Sequence, residues 1–186
     1  MRDVCYTICI NAWRQKMEIR KATSGDFSSM LELFEEARRT IATLGINQWQ
    51  NGEPAPEVVS EDISLGQSYV VEEGGELLGT FALMNESEPL YDSIYNGEWK
   101  SGNKNKNYQA IHRVAVAVRV RGKGISSAII DYAATHARAL GRESLRIDTH
   151  EGNVVMRRML EKHGFVYCGV IYLSNGDPRV AYERML

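Results

Sequence analysis

The segment Arg119–Ser127 constrains the fold of this chain more than any other stretch. An apolar run, Val114–Val116, ends just before it, and apolar residues recur at helical spacing from Ile125 onward. Gly122 and Gly124 allow a tight turn with backbone angles that other residues avoid. The helix that follows points unpaired N–H groups, and the positive end of its dipole, into that turn. Three basic residues add positive charge: Arg119, Arg121 and Lys123. The segment therefore predicts a polyanion site, and a pyrophosphate fits it best.

Two common phosphate-binding motifs do not fit these residues. A Walker-type loop would need a glycine at Ala117, and a serine or threonine directly after its lysine, where this chain has Gly124. The dinucleotide-binding fingerprint would need its third glycine at Ser127, and it normally opens a domain. The pattern that does fit is R-x-x-G-x-G over Arg119–Gly124, which we call the glycine turn.

The segments around the glycine turn carry a family resemblance. Ile111–Val116 and Ser144–His150 resemble the fourth and fifth strands of one family, and Ile19–Thr23 resembles its first strand and turn. The helix that ends in Leu160–Phe165 is similar to that family's closing L-Y-E-K-x-G-F phrase. With Arg119–Gly124, these segments resemble the GNAT superfamily of acyl-CoA-dependent N-acetyltransferases.

The resemblance implies a fold, a cosubstrate and a reaction. The implied fold is a GNAT-like mixed α/β sheet of about seven strands with about four helices, forming a single domain over residues 17–186. The implied reaction moves the acetyl group of acetyl-CoA directly to a primary amine of a small molecule, an amino acid or a protein. The residues expected to bind acetyl-CoA are Val114, Ala115, Val116, Arg119, Arg121, Gly122, Lys123, Gly124, Ile125, Ser126 and Asn153. Dimers are common in the family, so the resemblance leaves open whether this chain forms a homodimer.

The hydrophobic pattern places the elements in that order. Helices are predicted over 27–44, 56–63, 125–140 and from Asn153 onward, and strands over 17–21, 68–72, 76–84, 111–116, 144–150, 166–173 and 179–185. A strand, a helix and a second strand from 111 to 150 predict two parallel neighbours in the sheet.

Residues 85–108 form a long polar insertion that carries Tyr91, Tyr95 and Trp99. One interpretation is a wall or lid of the acceptor pocket, with Tyr91 in contact with substrate. The other is a loop held to the core by its aromatic rings. Trp49 follows the first helix, where the family usually builds acceptor specificity, and it is predicted to bind substrate unless it anchors the core.

Two histidines are candidate catalytic residues. Strand alternation would place His112 on one face with Val114 and Val116, and an imidazole with a pKa near 6.5 suits proton removal at neutral pH. His150, at the end of the fifth strand, is the second candidate. For both residues a structural role is the competing interpretation.

The general acid is left open. The family's usual acid is a tyrosine, and Leu160 stands at that position. On the next strand Tyr167, Cys168 and Tyr172 are alternatives, with Tyr167 expected to face away from the other two. The leucine also favours a second hypothesis, a non-catalytic module that binds and senses acyl-CoA.

Composition excludes several other classes. A net charge of −2 gives no basic field for nucleic acid or a membrane surface, and three cysteines favour a reducing, cytoplasmic setting. The four histidines are far apart in sequence and the cysteines lack zinc spacing, so no metal is expected. No apolar stretch reaches transmembrane length. Residues 1–16 are predicted to be an N-terminal extension or to reflect a misassigned start.

Overall fold

The computed structural model describes residues 17–84 and 86–186. Seven strands form one mixed sheet in the order β1-β2-β3-β4-β5-β7-β6, and four α-helices pack on it, as the resemblance implied. The strands are β1 (Glu18–Lys21), β2 (Ser68–Glu73), β3 (Glu76–Leu83), β4 (Tyr108–Val116), β5 (Ser144–Thr149), β6 (Val166–Tyr172) and β7 (Pro178–Met185). The helices are α1 (Phe27–Ala42), α2 (Pro56–Ser64), α3 (Ile125–Ala139) and α4 (Val154–Lys162). The predicted N-terminal extension, residues 1–16, lies outside the described residues.

The elements follow from local sequence rules. Pro56 begins α2 in the first turn, where its missing N–H costs nothing. Asn153 caps α4, because its side chain accepts a hydrogen bond from the Met156 N–H at 3.2 Å. Gly141, with φ of +69°, follows α3 and ends it in the left-handed region. Each predicted helix is confirmed, with ends that differ by one or two residues.

The centre of the sheet opens at β4 and β5. These two strands are parallel neighbours, as predicted, but they pair only from Tyr108 opposite Ser144 to Ala110 opposite Arg146. Beyond Ala110, β4 continues to Val116 paired with β3 alone. The edge of β4 that faces β5 is therefore free of strand partners at this point, and the opening positions the functional site.

A bulge in β4 interrupts the regular alternation of side chains that was expected from the sequence. Ala82 pairs with His112 and Thr80 pairs with Ala115, so three steps along β4 match two steps along β3. Arg113 takes a φ of +54°, which absorbs the extra residue. The expectation that His112, Val114 and Val116 alternate regularly on one face was therefore wrong.

A second bulge, in β6, changes which of Tyr167, Cys168 and Tyr172 share a face of the strand. Cys168 and Tyr172 were expected on the same face. The register shifts between Tyr167 and Gly169, whose φ is +147°. Cys168 packs in the same buried cluster as Ile171, three residues further on, so Tyr172 faces away from Cys168. Tyr172 instead contacts Tyr95 edge to face, with ring centroids 5.2 Å apart.

The segment between β3 and β4 is held to the sheet by its aromatic rings. Tyr91 and Trp99 are each 1% exposed, and the Trp99 indole donates to the Tyr91 carbonyl at 2.9 Å. The buried guanidinium of Arg146 lies 4.2 Å from the Trp99 ring centroid and bonds to Glu183 at 2.9 Å. Ser101 Oγ donates to the same carboxylate at 2.7 Å. These contacts favour the interpretation of a loop pinned to the core.

Candidate active site

A cleft of about 530 Å³ lies where β4 and β5 part. Residues from seven separate parts of the chain line it, and the bulge in β4 brings four consecutive residues, 111 to 114, to its wall. The charged and polar members are Gln48, Asn51, Glu53, Glu88, His112, Arg113, Asp148, Thr149, Asn153, Ser174, Asn175 and Arg179. Concave sites of this size suit small ligands.

The glycine turn has the geometry of an anion site. A 3-10 turn over Val118–Val120 leads into Gly122, with φ of +77°, and Gly124, with φ of +87°. Gly124 is the N-cap of α3, and the first N–H groups of that 15-residue helix have no acceptor within the helix. A Cβ on Gly122 would meet no described atom within 4 Å, so ligand atoms have access to the backbone there. This turn therefore fits a pyrophosphate bound through backbone N–H groups.

The basic side chains of the turn are exposed and take a smaller part in its geometry. Arg119 Nη2 lies 3.1 Å from Glu76 Oε2 and donates to the Leu77 carbonyl at 3.1 Å. Its side chain is about half exposed, at 51%. Arg121 and Lys123 are also exposed. These residues contribute positive potential near the turn, and solvent screens it.

His112 lies on the cleft beside a carboxylate that the sequence did not single out. Its Nε2 is 3.3 Å from Glu88 Oε2, although the angle is poor for a hydrogen bond. The imidazole beside it lowers the pKa of Glu88, although burial acts to raise that pKa. Both side chains are 19% exposed and line the cleft, although the Nε2 atom of His112 is itself buried. A neutral imidazole in this position can accept a proton, and Glu88 can stabilise the resulting cation.

Tyr91 lies behind the wall of the cleft, since it is buried and does not line the cavity. Its ring stacks on His112 with centroids 5.9 Å apart, and its hydroxyl donates to Asp148 Oδ1 at 2.7 Å. Burial, and then the nearby Asp148 carboxylate, raise the pKa of Tyr91 well above its usual value. Tyr91 therefore positions two residues of the cleft, and direct contact with substrate stays a prediction without support from this geometry.

His150 has a local partner instead of a place in the cleft. Its Nδ1 accepts a hydrogen bond from the Gly152 N–H at 3.0 Å, and it is not among the lining residues. Asn153 does line the cleft, and its amide donates to Gln48 Oε1 at 3.2 Å. The geometry thus favours His112 over His150 as the proton acceptor.

Trp49 combines both roles that the sequence left open. It lines the cleft, and its ring packs edge to face against Phe34 with centroids 5.9 Å apart. Its φ of +64° is unusual for a large residue and fixes the direction of the side chain. The turn after α1 therefore presents an anchored aromatic surface to the cleft.

The residue at the position of the family's tyrosine cannot act as a general acid. Leu160 is fully buried in the main core. Among the described residues that line the cleft, none is a tyrosine or a cysteine, so Tyr167, Cys168 and Tyr172 all lie elsewhere. Burial also raises the pKa of the Cys168 thiol.

Five charged cleft residues were missed from the sequence: Glu53, Glu88, Arg113, Asp148 and Arg179. Glu88 lies in the polar insertion, where charge normally indicates solvent exposure. Asp148 lies within β5, and a single acidic residue in a strand carries no signal of its own. Arg179 follows a turn at the start of β7, and nothing in the local pattern shows that its side chain is buried.

A larger groove, of about 860 Å³, lies between α1 and the turn that joins β2 to β3. Its charged lining residues are Glu32, Glu36, Arg39, Glu76 and Arg119. Arg119 is the one residue of the glycine turn among the described lining residues of this groove, and Gly122, Gly124 and the N-terminus of α3 lie outside it. The cleft between β4 and β5 and the glycine turn are the better candidate site.

Comparison with known proteins identifies the family. The model of the acetyltransferase (GNAT) family matches residues 27–165. The chain belongs to this family. A GNAT-family acetyltransferase from Streptococcus agalactiae is 34% identical, with a TM-score of 0.78 and coverage of 91% of this chain and 95% of that one. No curated protein matches the sequence.

More distant GNAT-family structures share the fold. One from Listeria monocytogenes is 21% identical, with a TM-score of 0.70 over 91% of this chain and 95% of that one. A ribosomal-protein-alanine N-acetyltransferase from Brucella melitensis is 19% identical, with a TM-score of 0.66 over 91% and 99%. Of the helices in the described part of this GNAT chain, none is long and apolar enough to cross a membrane. Its described residues also form no cluster of three or more metal-ligating side chains.

Proposed function

We propose that this chain transfers the acetyl group of acetyl-CoA to a primary amine of a small molecule, an amino acid or a protein. The observation that carries the proposal is the parting of β4 from β5 beyond Ala110, beside the glycine turn. β4 lines the cleft with residues 111–114 and ends at Val116, two residues before the 3-10 turn that leads into the glycine turn. Family membership supports acetyl transfer, and the geometry supports this location.

The chain's own residues fit acetyl-CoA. Backbone N–H groups of Gly122, Gly124, Ile125 and Ser126 would hold the pyrophosphate, because the Lys123 N–H already donates to the Val120 carbonyl at 3.2 Å. The free edge of β4 at Val114–Val116 would hold the pantetheine arm and the acetyl group. Bound acetyl-CoA supplies an activated thioester. Exposed Arg119, Arg121 and Lys123 would attract the polyanion without fixing its position.

His112 is the proposed proton acceptor. Amines are mostly protonated near neutral pH and must lose a proton before they can attack a carbonyl. The His112 imidazole lines the cleft, and Glu88 beside it can stabilise the charge that the imidazole gains. Asp148, held by the Tyr91 hydroxyl, is a second carboxylate able to face a cationic amine. We call Glu88, His112, Asp148 and Arg179 the acceptor wall.

A non-catalytic acyl-CoA sensor is the alternative function. The buried Leu160 favours it, because this leucine replaces the tyrosine that is the family's usual general acid. The described residues that line the cleft include no other tyrosine that could take this role. An acetyltransferase without this acid would pass a proton from water to the departing thiolate. The two functions therefore differ in turnover and not in cofactor binding.

Release of free CoA, measured with a panel of amines, separates the two functions. Acceptor-dependent release, with acetylated amine found by mass spectrometry, is the expected result. Acetyl-CoA binding in a titration, with no release above hydrolysis for any amine, would instead support the sensor.

A further inference from the structure

Arg179 is a buried cation on the wall of the cleft, and its charge is poorly compensated. Its side chain is only 5% exposed. Nη1 donates to the neighbouring Pro178 carbonyl at 2.9 Å, and Nη2 lies 3.8 Å from Asp177 Oδ2, beyond hydrogen-bond distance. A guanidinium group carries five N–H donors, and among the described residues the Pro178 carbonyl is the one acceptor found within hydrogen-bond distance of Arg179. Burial of such a group is unfavourable unless an anion meets it.

Asp177 cannot fully supply that anion. The same oxygen, Oδ2, accepts from the Asn175 amide at 3.2 Å and lies 3.5 Å from the Asn47 amide. It is also a third exposed, at 33%, so solvent screens it. The other cationic guanidinium on the cleft differs in this respect, because Arg113 donates to Asp62 at 2.9 Å.

The charges of the cleft match a ligand that carries both signs. Glu53, Glu88 and Asp148 line the cleft as carboxylates, while Arg179 lines it at the start of β7. β7 pairs with β5 so that Val180 lies opposite Thr149, which puts Arg179 just beyond the end of β5. A ligand with an amine alone would leave the guanidinium unmatched.

We propose that the acceptor is an amine that also carries a carboxylate, and that Arg179 binds this carboxylate. This rests on the proposed function of the cleft and narrows it to free amino acids and short peptides with a free carboxyl end. Arginine binds carboxylates through two parallel N–H···O bonds, which gives orientation as well as affinity. Binding there would point the amine away from Arg179 and toward the carboxylates of the acceptor wall.

Matched acid and amide acceptors test the proposal. Each common amino acid is assayed for CoA release beside its primary amide, and dipeptides are assayed beside dipeptide amides to separate the two carboxylate sources. The amide has the less basic amine, so intrinsic reactivity favours it and a preference for the acid reports recognition. The parent is expected to favour its best acid by about tenfold or more in kcat/KM.

The variant Arg179→Gln should lose that preference, with acid and amide within about threefold of each other. Its affinity for acetyl-CoA should stay close to that of the parent. Arg179→Lys keeps the charge and should retain part of the preference, and it serves as the test if Arg179→Gln does not fold. Arg138→Gln, which removes an exposed arginine from α3, is the matched control and should change nothing.

A binding measurement keeps this test separate from turnover. Thermal melts with CoA, which has no acetyl group to give, are recorded with each acid and amide. Acids should raise the Tm of the parent more than amides do, and Arg179→Gln should abolish the difference. Such binding without transfer to any amine would sustain the carboxylate site and overturn the proposed function. Equal transfer to acids and amides, or a preference that survives in Arg179→Gln, would overturn the role of Arg179 and leave acetyl transfer standing.

Discussion

The glycine turn would present backbone to the proposed pyrophosphate, whereas the acceptor wall would present side chains to the proposed acceptor. The turn is one contiguous stretch, Arg119–Gly124, with positive φ at Gly122 and Gly124, and it leads into the N-terminus of α3. The acceptor wall collects single residues from the β3–β4 segment, β4, β5 and β7. A site built from backbone groups tolerates most side-chain substitutions but few substitutions of its glycines. A site built from side chains is sensitive to substitution of each of those side chains.

The difference separates two kinds of specificity. Backbone N–H groups recognise a phosphate whatever the acceptor is, so the turn can stay the same while the acceptor changes. The acceptor wall depends on contacts such as Tyr91 to Asp148 and Glu88 to His112, which can change independently. Variants of the glycine turn and variants of the acceptor wall should therefore affect different kinetic constants.

The largest effect is expected for Gly124→Val. Valine cannot readily adopt a φ of +87°, and its branched side chain would occupy the space of the pyrophosphate. Loss of two or more charge-assisted hydrogen bonds should weaken acetyl-CoA binding by roughly 10³-fold, measured by isothermal titration. Gly141→Val is the control, since it imposes a similar strain, at a φ of +69°, at the other end of α3. Equal affinity losses in both variants would mean that strain alone, not the turn, is responsible.

His112→Ala should lower the rate of transfer at pH 7 by about 10²-fold, with acetyl-CoA affinity nearly unchanged. In the parent, acid protonates the imidazole, so the rate should fall on the acidic side of the pH profile. That acidic limb should flatten in the variant. Retention of more than about a third of the parent's rate would return His112 to a structural role.

Tyr91→Phe should lower kcat/KM for the acceptor by about tenfold, because Asp148 loses the hydrogen bond that orients it. Acetyl-CoA affinity should not change, which distinguishes a defect of the acceptor wall from general loosening of the cleft. Tyr95→Phe, in the same segment but 51% exposed, is the matched control. Parallel losses in both variants would contradict the positioning role of Tyr91.

The smallest effect is expected for Arg119→Ala. The side chain is 51% exposed and contacts Glu76, so its loss should weaken acetyl-CoA binding only about threefold at low salt. At high salt the difference from the parent should disappear. A loss as large as that of Gly124→Val would show that side chains hold the pyrophosphate, contrary to the comparison above.

The conformation of the turn could be predicted well, because it depends on consecutive residues. Glycine at 122 and 124, followed by a helix, specifies both conformation and chemistry. The sequence also predicted the parallel strands on either side, β4 and β5. It did not predict the bulge at Arg113, since a bulge depends on how β3 and β4 align in the sheet.

The acceptor wall could not be predicted in the same way. Glu88 reaches His112 across a segment whose polar composition suggested solvent exposure. The burial of Arg179 depends on the packing of β7 beside β5 and on the turn that precedes it. Tyr91 was noticed as a large residue in a polar loop, but its hydrogen bond to Asp148 is set by tertiary structure alone.

Hydrogen exchange with and without acetyl-CoA tests most directly where the cofactor binds. It needs no variant, and it reads the backbone N–H groups that are proposed to hold the ligand. Acetyl-CoA should slow exchange over residues 119–127 and along β4 over 111–116. Exchange over residues 29–43 and 75–77, at the larger groove, should not change. Slowed exchange at that groove, with residues 119–127 unaffected, would contradict the account.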